Sequence, residues 1–224
     1  MYRLSRSLIL YLMLTAVFVG QASARDMILQ AELWVEIEPF LSERESASRD
    51  AEQAALRLLE TAGFVFAGMT YGFKVRYVPA EPLRDVREQV EVVPRAEIVR
   101  GDRGLRTRQI READGRIYGV FSFHPDEVQA SSRLRFLRSD IARSEGTGSA
   151  DYFAGPSAVQ DAIQAAVAYA VRAEARRVTA NRPAEIIADA VLIEAPLVSI
   201  RSGQYTARVR VSVQFREIRA YELF

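Results

Sequence analysis

Few residues in this chain have side chains suited to chemistry, and their spacing brings little of it together. His124 is the only histidine and cysteine is absent from the 224 residues. That removes histidine metal clusters, two-histidine mechanisms, thiol catalysis, iron–sulfur ligation and cysteine-rich zinc sites. His124 stands in Phe123-His124-Pro125-Asp126, where a neighbouring Asp could orient it as a general base; the plainer expectation is an exposed histidine at a strand-to-helix junction. Glu32, Glu36 and Glu38 share one face of a strand, which reads as a solvent face, whereas a paired acid/base site needs carboxylates from separate elements. Gly146-x-Gly148 has no third glycine and follows no convincing strand, so it does not read as a phosphate loop. Arg100-Gly101-Asp102 matches the tripeptide that adhesion receptors recognise, a match that an arginine-rich chain readily produces by chance. No catalytic, cofactor-binding or metal-ligating residues are expected, and no cofactor.

Arginine is the one functional group present in patterns. Arg103, Arg106, Arg108 and Arg111 form one set and Arg208, Arg210 and Arg216 another. Guanidinium groups in rows suit an anionic partner such as an acidic protein surface or a cell-wall polymer; the competing reading is a solvated strand face balanced by acids across the sheet. Aromatic residues are not interleaved with these arginines as a single-strand nucleic-acid groove requires, so no nucleic-acid partner is expected.

The elements that position these residues are legible from periodicity. Leu29, Ala31, Leu33, Val35 and Ile37 alternate with polar residues, which predicts a half-buried strand. Trp34 lies on its acidic face and either covers a neighbouring element, the preferred reading, or stays exposed. Ser42 and Glu45 have capping-box spacing, and Ala47, Ala51, Ala54, Ala55, Leu58, Leu59 and Ala62 form the stripe of a helix that Gly63 would stop. Phe64 to Val78, rich in aromatic and branched residues, reads as β structure bent at Gly72. A strand from Val90 to Val99 is interrupted by Pro94. Asp114-Gly115 predicts a hairpin turn between Thr107–Glu112 and Arg116–Phe123.

Further on, a charged helix is expected over 126–143 with Val128, Leu134, Leu137 and Ile141 buried, followed by Glu145-Gly-Thr-Gly-Ser-Ala as a flexible linker. Ser157 caps a helix over 157–179 with Val159, Ile163, Ala166, Val167, Ala170, Val171 and Val178 on one side, ended by Asn181 and Pro183. A long hairpin closes the chain, from Ala184–Ile200 through Ser202-Gly203 to Gln204–Ile218.

Arg3 and Arg6, the apolar run Leu8 to Val19 and the small-residue site Ala22-Ser23-Ala24 have the order of a secretory signal. Cleavage is expected after Ala24, with an uncleaved anchor as the alternative. The apolar run falls short of the ~20 residues of a membrane-crossing helix, so no stable span is expected after cleavage. The segment carries two arginines and no acids, so its removal takes the formal charge from +1 to −1. Such a balance gives no net attraction to nucleic acid or acidic membrane. The expected location is periplasmic.

Strand, Ala-rich helix and two strands over 27–78 are echoed by strand, helices and two strands over 116–218. The fold class expected is α+β, either as two βαββ modules over 25–115 and 116–224 or as one domain with a shared antiparallel sheet and Ala-rich helices packed on one face. The helix pattern Ala51-x-x-Ala54-Ala55-x-x-Leu58-Leu59, and Asp161-Ala162-Ile163-Gln164-Ala165-Ala166-Val167 before the final hairpin, resemble the small envelope modules of flagellar assembly protein T and related outer-membrane-associated lipoproteins of flagellated bacteria. The resemblance implies a non-catalytic periplasmic protein whose partners are envelope or flagellar proteins. This chain departs from the lipoprotein members in lacking an acylated cysteine. Two other functions are allowed by the sequence: a binding module for a small molecule or glycan, in a pocket between helix 157–179 and the sheet, and an envelope hydrolase using Asp or Glu, which needs two carboxylates that meet in a cleft.

Overall fold

Alternation of apolar and polar residues makes Leu29–Glu36 a strand, β1, whose Leu29, Ala31, Leu33 and Val35 are buried. The computed structural model to which it belongs describes residues 27–37, 47–179 and 183–221. The expected signal segment, Glu38, the Ser42 and Glu45 capping box and Asn181 lie outside the described residues. Among the described residues the fold is α+β, with three helices and nine strands in two antiparallel sheets. The small sheet has the order β1-β5-β4, built from β1, β4 (Leu105–Ala113) and β5 (Arg116–Phe123). The large sheet runs β3-β2-β7-β9-β6, from β3 (Gln89–Pro94), β2 (Phe73–Val78), β7 (Glu185–Leu192), β9 (Gln204–Arg219) and β6 (Ala142–Asp151); β8 (Leu197–Arg201) also pairs with β9. Partners are exchanged across residue 115: β1 pairs with β5 and β2 with β7. One cluster of buried residues runs from Leu29 to Val213.

Helix α1 (Ala47–Thr70) continues past Gly63, and Phe64–Thr70, expected as β structure, is its last part. The reason is where the helix lies. It contacts strands of both sheets, so a segment apolar on every side is buried on every side. Phe66 stacks on Phe123 of the small sheet, centroids 5.7 Å apart, while Phe64 meets Phe73 of the large sheet at 5.5 Å. Gly63 is a point of close approach, where a Cβ would overlap the carbonyl oxygen of Ile98. Gly72, with φ +77°, ends the helix: its amide and that of Tyr71 both donate to the Ala67 carbonyl, the left-handed termination that glycine favours. The strand expected to reach Val99 stops at Pro94, and the chain beyond it carries Ile98 onto α1.

The helix expected over 126–143 is α2 (Glu127–Phe136), opened by the reciprocal bonds of Asp126 and Gln129, both 2.8 Å. Its buried face is Ala130, Arg133 and Phe136, whereas Val128 and Leu134, expected inside, are exposed. Arg133 accounts for the difference. Its guanidinium is buried and donates to the carbonyls of Met69, Leu192 (2.8 Å) and Ile193 (2.6 Å), placing a cation at the carbonyl end of α1. Negative dipole ends favour positive charge. Burial pushes this guanidinium down to about 10, still well above neutral pH, so it stays charged.

Residues 145–150, expected as a linker, belong to strand β6. Ala142, Ser144, Gly146, Gly148 and Ala150 recur at period two, the spacing of one strand face. Helix α3 (Ala158–Val178) lies directly on that face: Cβ atoms at Gly146 and Gly148 would overlap the backbone of Ala165 and Ala166, and Ser144 Oγ donates to the Ala170 carbonyl at 2.9 Å. The final hairpin forms as expected around Ser202-Gly203, with its first arm divided into β7 and β8 that lie in turn along β9.

Candidate functional site

Alternation along β9 sends Val209, Val211 and Val213 to the core and Arg208 and Arg210 to the opposite face; a register shift against β7 follows, and Arg216 is also exposed. Acids meet all three. Glu145 of β6 stands opposite Arg210 in the register and lies 3.2 Å from Arg208 and 3.4 Å from Arg210, with Glu194 3.5 Å from Arg210. Asp189 lies 2.6 Å from Arg216. Cross-strand pairs at this exposure are worth ~0–1 kcal/mol each, but they cancel most of the face's charge.

The four remaining arginines belong to the other sheet. Arg103 sits in the turn before β4 and Arg106, Arg108 and Arg111 are on it. Arg111 lies 4.1 Å over the Tyr118 ring and 3.8 Å from Glu32. Arg108 Nε donates to Ser122 Oγ at 3.1 Å, at a bulge between Thr107 and Gln109. Arg103 and Arg106 make no ion pair or side-chain hydrogen bond among the described residues. β4 is the outer strand of its sheet, paired only with β5, and Arg106 to Glu112 are exposed without interruption. One line of its backbone amides and carbonyls therefore faces outward, the template onto which another strand can add. Six of the seven arginines thus lie on strands of two sheets and Arg103 in the turn before β4, one set neutralised and the other largely not.

A third cluster has members that periodicity assigned to solvent. Glu36 of β1, expected on an open face, has a side chain only 12% exposed. It accepts a 2.9 Å hydrogen bond from Tyr205 Oη and lies 3.6 Å from Arg116. Arg116 lies 4.4 Å over the ring of Trp34, which tilts against Tyr205, and Tyr205 stacks on Tyr152 at 5.2 Å. Trp34 therefore covers a neighbouring element, the preferred of its two readings. Burial, then the bond to Glu36, raises the Tyr205 phenol, and the same two causes push Tyr152 up to about 12. Two phenols held protonated around a carboxylate do not exchange protons near neutrality; the arrangement ties β1 of the small sheet to β9 of the large one. A Trp and a Glu two residues apart on a strand face was the available signal. His124 is half-buried rather than exposed, and its Nε2 has no partner among the described residues. In Arg100-Gly101-Asp102 the aspartate is already used, accepting the Gly104 amide at 2.8 Å.

Backbone contact at Gly146 and Gly148 leaves no space between α3 and β6, but at the C-terminal end of α3 a hollow of about 430 Å³ opens between Ala175, Arg176 and Thr179 on one side and Tyr77, Glu88 and Ile186 on the other. No helix among the described residues is long and apolar enough to cross a membrane.

A family model without a functional description matches residues 17–221. The chain belongs to that uncharacterised family. It is also similar to an uncharacterised protein of Treponema pallidum (strain Nichols), 21% identical over 211 residues that cover 93% of this chain and 88% of the other. No solved structure matches.

Proposed function

We propose that this is an exported, non-catalytic protein that works in the periplasm through protein–protein contacts, within an envelope or flagellar assembly. The observation that carries the reading is β4: a nine-residue outer strand exposed along most of its length, where Arg106 and Arg108 have no acid among the described residues and Arg111 has only the solvent-exposed Glu32 at 3.8 Å. Strand addition to such an edge takes affinity from main-chain hydrogen bonds and specificity from side chains on alternate positions. An added strand carrying Asp or Glu would supply the missing charge at Arg106 and compete with the exposed Glu32 for Arg111. The bulge at Thr107 to Gln109 and the arginine row also keep the edge from pairing with itself.

A photo-reactive residue at Gln109 of β4, and another at Ser149 of β6 for comparison, tests this in the protein's own cells. The expected result is an envelope or flagellar component captured at position 109 and not at 149, and lost when Arg106→Glu and Arg111→Glu are introduced. Equal capture at both positions, or a protein free and monomeric in the periplasm, would defeat the proposal.

A further inference from the structure

The polar face of the large sheet carries a local excess of positive charge near α2. Where α2 and the turn after it cross that face there is a hollow of about 270 Å³, whose lining includes Arg95, Arg135, Phe136, Arg138, Asp140 and Arg216. The guanidiniums come from three places: Arg95 just after β3, Arg135 and Arg138 on and after α2, and Arg216 on β9. Two carboxylates answer them. Asp189, its side chain 8% exposed, takes both Arg95 (3.0 Å) and Arg216 (2.6 Å) on a single oxygen, Oδ2. Asp140 holds Arg138 through two parallel bonds of 3.0 and 2.9 Å. Arg135 has no ion pair or hydrogen bond among the described residues. Two positive charges are left over.

We propose that this hollow binds a phosphate monoester. The chemistry matches in three respects. A phosphoryl group on an ester carries about −1.5 to −2 charge at neutral pH, which cancels the excess. Its three free oxygens are arranged in three dimensions, so guanidiniums brought from three places in the fold can meet them from different sides, whereas a carboxylate offers two oxygens in one plane. The size sets the rest: 270 Å³ lies just under the ~300 Å³ at which sites for drug-sized ligands begin. The arginines are already held. Arg216 spends its Nε and Arg95 one terminal nitrogen on Asp189, leaving other donors for a ligand. Arg95 also lies 5.6 Å from the centre of the Phe136 ring, which restrains it further. This site is separate from β4 and its failure would leave the edge-strand reading untouched.

Calorimetric titration of the purified protein at low salt with glycerol 3-phosphate, inorganic phosphate and succinate decides it. One saturable site for glycerol 3-phosphate is expected, weakened roughly tenfold or more by Arg135→Gln and by Arg138→Gln, since each removes a charge-assisted donor. Arg103→Gln, on the other sheet, should leave it unchanged. Inorganic phosphate binding as tightly as the ester assigns recognition to the phosphoryl group alone; weaker binding assigns part of it to the ester's organic portion, and both support the proposal. No saturation by about 10 mM, equal weakening by Arg103→Gln, or succinate binding as tightly as the ester would overturn it. Arg135 and Arg138 are exposed, so these variants test binding with the fold intact.

Discussion

Helices α1 and α3 are both rich in alanine, yet they meet their surroundings in opposite ways. α3 rests on β6 with almost no side chain between the backbones, because Gly146 and Gly148 meet Ala165, Ala166 and Ala170. α1 instead passes along both sheets and reaches them through rings, Phe66 toward Phe123 and Phe64 toward Phe73. One seat is set by the absence of side chains and the other by their size. Alanine content alone therefore does not say how closely a helix approaches a sheet; the residues opposite it do.

Gly148→Val should be the most damaging change at the α3 seat. A Cβ there would overlap the Ala166 amide and Ala165 backbone, and backbone cannot rotate out of the way as a side chain can. Overpacking typically costs about 1–3 kcal/mol and occasionally more; with no flexible neighbour to yield, the expected loss reaches the ~4 kcal/mol that marks exceptional substitutions. Urea unfolding monitored by circular dichroism would measure it. A loss under about 1 kcal/mol would mean that α3 does not lie on β6 as closely as described.

In the other seat the expected damage is a cavity. Phe66 is fully buried, so Phe66→Ala should cost about 3–5 kcal/mol. Phe64 is only half-buried, and Phe64→Ala should cost less. Because the two rings face different sheets, the double variant should be additive to within about 0.5 kcal/mol. A larger coupling in the same denaturation series would show that the two sheets respond as a unit through α1.

How far the chain was legible before its structure follows from the same contrast. Alternating strands such as β1 and β9 and helix 158–178 announce themselves because one face is apolar and the other is not, and the Asp114-Gly115 turn does so because these residue types accept the positive φ that it requires. Phe64–Thr70 did not, since a helix buried on all sides loses the one-sided pattern and its aromatics resemble a strand. Glu145–Ala150 looked like a linker because glycine and serine are equally the residues of flexible chain and of a strand pressed against a helix; the period-two recurrence of small residues distinguishes them. α2 hid its inner face because its centre is a buried arginine. For the candidate sites, the exposed arginines of β4 could be named from sequence. Arg95, Arg135 and Arg138 could not, since only the crossing of α2 over the sheet brings them to Arg216.

The smallest expected effect concerns the join between the two sheets that the helices' different seats require. Tyr205 and Tyr152 surround Glu36, and both phenols are raised above the ~10 of an unfolded chain, Tyr152 to about 12. Above pH ~10 the unfolded chain releases phenolic protons that the folded protein keeps, so the unfolded state binds fewer protons and stability falls as pH rises. The contribution is complete below pH ~10 and is lost as pH climbs through the folded values. Tyr205→Phe removes the donor to Glu36 and should cost about 1 kcal/mol at neutral pH, while flattening the alkaline fall in melting temperature. Adding Tyr152→Phe should flatten it further. If the double variant loses stability between pH 9 and 12 as steeply as the parent, these phenols do not join the sheets in the way their geometry indicates, and the apolar core shared by the two sheets and the helices holds the small sheet in place.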